Sequence, residues 1–124
     1  MTKPRVLFVD DEPGLVTAVV QRLMLRDIEA TGVTSSIDAL RKVEEERFDV
    51  AVVDVRMPEI GGLDVLKRFR DTASHMAVVL MSGHGSAENV EEGERLGAFE
   101  YLQKPVEIEE LVAVIKRAVA ANEG

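Results

Sequence analysis

Four apolar runs in this sequence stop abruptly at residues equipped for chemistry. Val6–Val9 ends at Asp10-Asp11-Glu12, and Val50–Val53 ends at Asp54. Met76–Met81 gives way to Ser82-Gly83-His84-Gly85, and Phe99–Leu102 leads through Gln103 to Lys104-Pro105. If these runs are neighbouring parallel strands, all of these residues stand on one rim. Carboxylates from separate segments then converge, and like charges that close cannot all stay ionised unaided. Either one acid keeps its proton or a cation joins them. A hard divalent ion held by carboxylates and a carbonyl, with water completing the octahedron, fits Mg2+. A hydroxyl (Ser82) and an ammonium (Lys104) on the same rim add the donors needed to neutralise a phosphoryl group carried on a carboxylate.

The elements that must position these residues show as an alternation of short apolar runs and helical patterns. The runs are Arg5–Val9, Ile28–Val33, Val50–Val53, Met76–Met81 and Phe99–Leu102. Helical periodicity links Leu15, Val19 and Leu23, then Ile37, Leu40 and Val43, then Leu63, Leu66 and Phe69. It is strongest in Ile108, Leu111, Val112, Ile115 and Val119. Ser86–Leu96 is a weaker helical segment with few apolar anchors, clustered Glu residues and a central Gly93, which costs about 1 kcal/mol against Ala. So thinly anchored an element is the expected moving part, and Gly93→Ala is expected to stiffen it. Strand–helix units spaced about 25 residues apart imply a doubly wound α/β fold, a five-stranded parallel sheet with five helices on its two faces.

Strand order follows from composition. The first, third and fourth runs lack polar alternation, as strands buried on both faces do, whereas the second and fifth mix in polar residues and suit edges. With right-handed crossovers the order is 2-1-3-4-5, and the winding reverses between strands 1 and 3, where ligands bind beyond the carboxyl ends.

Composition narrows the function class. The chain has 124 residues, with 15 Lys and Arg against 23 Asp and Glu, a formal charge of −8. So acidic a surface disfavours direct nucleic-acid binding. The absence of Cys excludes disulfides and thiolate metal sites and is consistent with a cytoplasmic location. The first apolar run is too short for a signal peptide, and no segment is long enough to span a membrane. The chain reads as a single domain over 1–124.

The motifs Val9-Asp10-Asp11-Glu12, Asp54-Val55-Arg56-Met57-Pro58 with Gly61-Gly62, Met81-Ser82-Gly83 and Gly97–Pro105 occur in order at the matching strand ends. Together, from about Arg5 to Val119, they resemble the flavodoxin-like receiver domain of bacterial two-component response regulators. The resemblance implies that Asp54 is the phosphoacceptor, taking its phosphoryl group from a sensor histidine kinase or phosphotransfer protein in a Mg2+-dependent reaction. It implies that Asp11, Asp54 and the main-chain carbonyl of Arg56 bind Mg2+, with Asp10 reaching the ion mainly through water. Ser82 and Lys104 would each meet a phosphoryl oxygen, Tyr101 would be the switch aromatic beside Ser82, and Arg56 and His84 would modulate phosphoryl lifetime. Output would pass through the fourth helix, fifth strand and fifth helix to a downstream protein, a fused effector domain or a second copy. Such a domain is no enzyme beyond catalysing its own phosphorylation and dephosphorylation.

Plainer readings stand beside these. Asp10-Asp11-Glu12 before Pro13 could simply cap a helix. Asp54 could open a turn, Lys104-Pro105 could close an edge strand, and Tyr101 could be strand packing. Gly61-Gly62 reads as backbone geometry before the third helix, and His84 as a solvated loop residue. Two other classes share the architecture. An aspartate-nucleophile phosphatase of the haloacid-dehalogenase kind wants an Asp where Arg56 stands, and a flavin or nucleotide domain cradles phosphate where Asp10-Asp11-Glu12 would repel it.

Overall fold

Valine-rich stretches favour extended backbone because a branched Cβ packs well on a pleated surface. In the computed structural model, which describes residues 3–83 and 87–123 (side chains of 87, 88 and 123 apart), the valine-rich runs at Arg5–Val9, Val50–Asp54 and Ala77–Ser82 are strands. The chain runs β1 (Arg5–Val9), α1 (Pro13–Met24), β2 (Glu29–Val33), α2 (Ser36–Glu45), β3 (Val50–Asp54) and α3 (Gly62–Thr72). It continues through β4 (Ala77–Ser82), α4 (Ala87–Arg95) and β5 (Glu100–Gln103) to α5 (Ile108–Glu123). All strand pairings are parallel, in the order β2-β1-β3-β4-β5. The architecture and order are those expected from the sequence.

Alternation along the strands sends side chains to two cores. Val6, Phe8, Val50, Val52, Val79 and Met81 pack under α1 and α5. Leu7, Val9, Ala51, Val53, Val78 and Leu80 pack under α2 and α3. Burying each large apolar side chain contributes roughly 1.5–3 kcal/mol, so the middle of the sheet is firmly held. In-register pairing of Val9 with Val53 and of Asp54 with Met81 aligns the strand ends that carry the polar residues.

Three local expectations need correction. Strand β5 begins one residue later than the apolar run, leaving Phe99 38% exposed. In α2 the buried residues are Ser36, Ala39 and Val43, while Ile37 is 44% exposed. Periodicity counted Ile37 because a serine is invisible to a search for apolar positions. In α4, a Cβ on Gly93 would lie 2.8 Å from Cδ1 of the fully buried Leu80. Gly93 therefore seats α4 close on β4. Alanine there requires the helix or the Leu80 side chain to give way, which opposes the gain in helix propensity on which the expected stiffening rests.

Candidate functional site

Asp10 and Asp54 are built alike. Asp10 directly follows β1 and Asp54 is the last residue of β3, and each is nearly removed from solvent, at 0% and 5% exposure. Each uses one carboxylate oxygen to accept the amide two residues on: Glu12 N to Asp10 Oδ1 at 3.0 Å and Arg56 N to Asp54 Oδ1 at 2.8 Å. Each offers its other oxygen to the same ammonium, Lys104 Nζ donating to Asp10 Oδ2 at 2.7 Å and to Asp54 Oδ2 at 3.0 Å. The exposed Asp11 completes the group, and the oxygens of Asp10, Asp11 and Asp54 lie within 4.8 Å of one another.

Backbone hydrogen bonds place Lys104 there. Its own N–H donates to the Ser82 carbonyl at 2.8 Å, and Val55 N donates to the Met81 carbonyl at 2.8 Å. The two loops thus leave the sheet side by side. Partial burial pulls the Lys104 ammonium toward its neutral form, but the hydrogen bonds and charges of Asp10 and Asp54 outweigh it and hold its pKa above the ordinary 10.5. Formally, three carboxylates and one ammonium leave two negative charges in the cluster, the charge a divalent cation supplies. The donors are all hard oxygens, which fits Mg2+. This meets the expectation of crowded carboxylates with a cation, the first cation being the protein's own.

The helix start next door needs none of these acids. The N-cap of α1 is Glu12 in extended conformation with Pro13 following, and no side chain caps the helix. The turn reading of Asp54 does hold locally, through the Arg56 amide, and coexists with the cluster. Gly62 has more consequence than its sequence context reveals. A Cβ there would stand 2.6 Å from both the Asp54 carbonyl oxygen and Val55 Cα, so α3 begins directly against the backbone at the end of β3. The doublet Gly61-Gly62 was the available signal. Buried Met57 anchors the same loop, and nothing in its neighbourhood marked it.

Of the other expected residues, Ser82 is fully buried at the end of β4, one position beyond the residue paired with Asp54. Tyr101 pairs with Leu80 and packs on the core beneath α2 and α3. Its hydroxyl is buried, with no hydrogen-bond partner among the described residues. The side chain of Arg56 is exposed. His84 lies outside the described residues. No helix among the described residues is long and apolar enough to cross a membrane.

The sequence model of the response regulator receiver domain matches residues 6–116. The chain belongs to that family. The mycobacterial transcriptional regulatory protein PrrA of Mycobacterium tuberculosis is 34% identical to this receiver domain over 116 residues, 94% of this chain and 50% of PrrA. A response regulator receiver domain from Clostridium thermocellum superposes with a TM-score of 0.92 at 32% identity, covering 97% of each chain. The beryllofluoride-activated NtrC4 receiver domain dimer superposes with a TM-score of 0.89 at 29% identity, covering 95% of this chain and 98% of that one. The chain spans between a quarter and half the length of the first curated relatives it matches. Family membership decides for a two-component signalling domain over the phosphatase and flavin alternatives.

Proposed function

We propose that this chain, as a single receiver domain over 1–124, accepts a phosphoryl group on Asp54 from a phosphohistidine of a sensor kinase or phosphotransfer protein. A carboxylate oxygen of Asp54 attacks phosphorus in line. The P–N bond breaks and its electron pair stays on the departing imidazole. Asp54 is held for this by the hydrogen bond its carboxylate accepts from the Arg56 N–H and by the turn that Gly62 permits. Lys104 exchanges its contact with Asp54 for one with a phosphoryl oxygen while keeping Asp10, and the Ser82 hydroxyl takes a second oxygen. Asp11, Asp54 and the Arg56 carbonyl would hold Mg2+, with Asp10 engaged through water. Bound there, the ion supplies neutralisation of the charge that develops during transfer.

A cavity of about 400 Å³ beside Lys104, lined by Leu15, Pro105, Val106 and Ile108, gives a donor protein an apolar foothold next to the acceptor. Output follows from the α4–β5–α5 face. Tyr101, whose hydroxyl is buried, and Ser82 respond to the new charge, and α4 moves with them to admit a downstream protein, a fused effector or a second copy. The acidic chain acts without direct contact to nucleic acid or membrane, in the cytoplasm.

The observation that carries this reading is the single ammonium bridging Asp10 and Asp54 within a three-carboxylate cluster. Incubation with acetyl phosphate and Mg2+ is expected to add one phosphoryl group by intact mass, and Asp54→Asn to add none. No gain in the wild-type chain, or an equal gain in Asp54→Asn, overturns the assignment. Arg56, exposed two residues from the acceptor, shields the phosphoryl group from water. Arg56→Ala is expected to hasten dephosphorylation several-fold, and an unchanged rate removes Arg56 from the mechanism.

A further inference from the structure

Two serines open α2, although a helix start needs only one side-chain cap. Ser35 supplies it, its Oγ accepting from Asp38 N at 3.1 Å. Ser36 is 0% exposed, and a hydroxyl so buried is costly unless it finds a partner. Its partner lies 24 residues further along, where Ser36 Oγ donates to the main-chain carbonyl of Ile60 at 2.5 Å. Ile60 belongs to the loop joining β3 to α3, the loop that carries Arg56.

That loop is fastened at its start and its end. Arg56 N is tied to Asp54, and Gly62 N donates to the Val55 carbonyl at 2.9 Å. Its far side runs through Glu59, which takes the left-handed φ of 71° that residues other than glycine rarely adopt. Such a conformation persists only where neighbours over-determine it. Ile60 provides this, its N–H donating to the Pro58 carbonyl at 2.9 Å while its C=O accepts from Ser36. Ser36 is thus a tie from a separate helix to the far side of the loop, added to the loop's own Ile60–Pro58 hydrogen bond.

We propose that Ser36 is a positioning residue for the cation site. Its hydroxyl holds residues 55–61 so that the Arg56 carbonyl is set before an ion arrives instead of being ordered by it. The inference rests on the reading of Arg56 as a metal ligand given above. Ser36 touches neither the ion nor the reacting atoms. Its contribution is preorganisation, which partners outside the ligand set supply at metal sites.

The test is titration calorimetry of Mg2+ into the full chain, together with amide exchange over residues 55–61. Ser36→Ala is expected to raise the Mg2+ Kd roughly tenfold, the lower end of what outer partners contribute, and to speed exchange in the loop. Val43→Ala, a core truncation on the same helix, controls for lost stability: it is expected to lower Tm while leaving the Mg2+ Kd unchanged. Ser36→Cys, nearly isosteric with a weaker donor, is expected to fall between Ser and Ala, and serves if the alanine variant does not fold. A Ser36 variant that binds Mg2+ like the wild type, or a Val43→Ala that weakens binding equally, overturns the inference alone. A wild-type chain that fails to bind Mg2+ overturns the cation site itself.

Discussion

The two ends of the parallel sheet treat charge in opposite ways. At the amino end of β1, Arg5 is surrounded: its guanidinium meets Glu46 at 2.7 Å, Glu29 at 3.3 Å and the Arg47 carbonyl at 2.7 Å. It also lies 5.3 Å from the Phe48 ring centre, and its backbone N–H donates to Asp49. Lys42 adds a second cation to Glu46 at 3.1 Å. At the carboxyl end one ammonium bridges two buried carboxylates, with the exposed Asp11 beside them. One end shares its acids between two partly exposed cations; at the other, among the described residues, a single ammonium lies between two buried acids. The lesson is that acids spread over partly exposed cations make a structural clamp, while buried acids crowded on one ammonium leave a place that a further cation could fill.

This contrast can be broken from either side. Lys104→Met removes the bridging ammonium and is expected to have the largest effect. Phosphorylation of Asp54 by acetyl phosphate falls about 100-fold, as for loss of one preorganised donor. In Mg2+-free buffer the chain loses about 2 kcal/mol in urea unfolding, less than for a fully buried pair because Lys104 retains 20% side-chain exposure. Added Mg2+ is expected to restore part of that loss, and its failure to do so would count against the shared role of ammonium and metal ion. At the amino end, Arg5→Ala is expected to cost about 1 kcal/mol while leaving Mg2+ affinity and phosphorylation rate at wild-type values. A changed rate would merge two regions that are held here to be separate.

The smallest effects are in pH. The raised pKa of Lys104 means that its stabilising contribution is complete below 10.5 and is lost as pH rises through the higher folded value. Alkaline unfolding curves of wild type and Lys104→Met are therefore expected to converge above that point. Hydrogen bonds from Lys42, then Arg5, hold Glu46 below its ordinary 4.5, so its contribution is present above 4.5 and fades as pH falls through the lower folded value. Glu46→Gln is expected to flatten that acid limb slightly, a difference that salt diminishes.

Most of the fold was legible because unbroken Val runs report burial on both faces and their spacing reports crossover helices. The acids and Lys104 were legible because each directly follows such a run or closes the edge strand. What was not legible depends on contacts between distant segments. The identical treatment of Asp10 and Asp54 by one lysine is a matter of loop path, not residue type. Ser36 faces inward and Ile37 outward because a carbonyl 24 residues away needs a donor, which no periodicity reports. Gly93 appeared to be a weak point in a helix, yet its missing side chain is what lets α4 lie on Leu80.

The bare Cα at position 62 has a consequence for how such a chain can diversify. Any side chain there must displace the Asp54 carbonyl or Val55, so sequence drift has to spare it. Arg56, by contrast, projects outward from the same loop and can be exchanged without repair elsewhere. On the reading of Arg56 proposed above, exchanging that one exposed side chain would alter how long the phosphoryl group persists while leaving the frame beneath it unaltered.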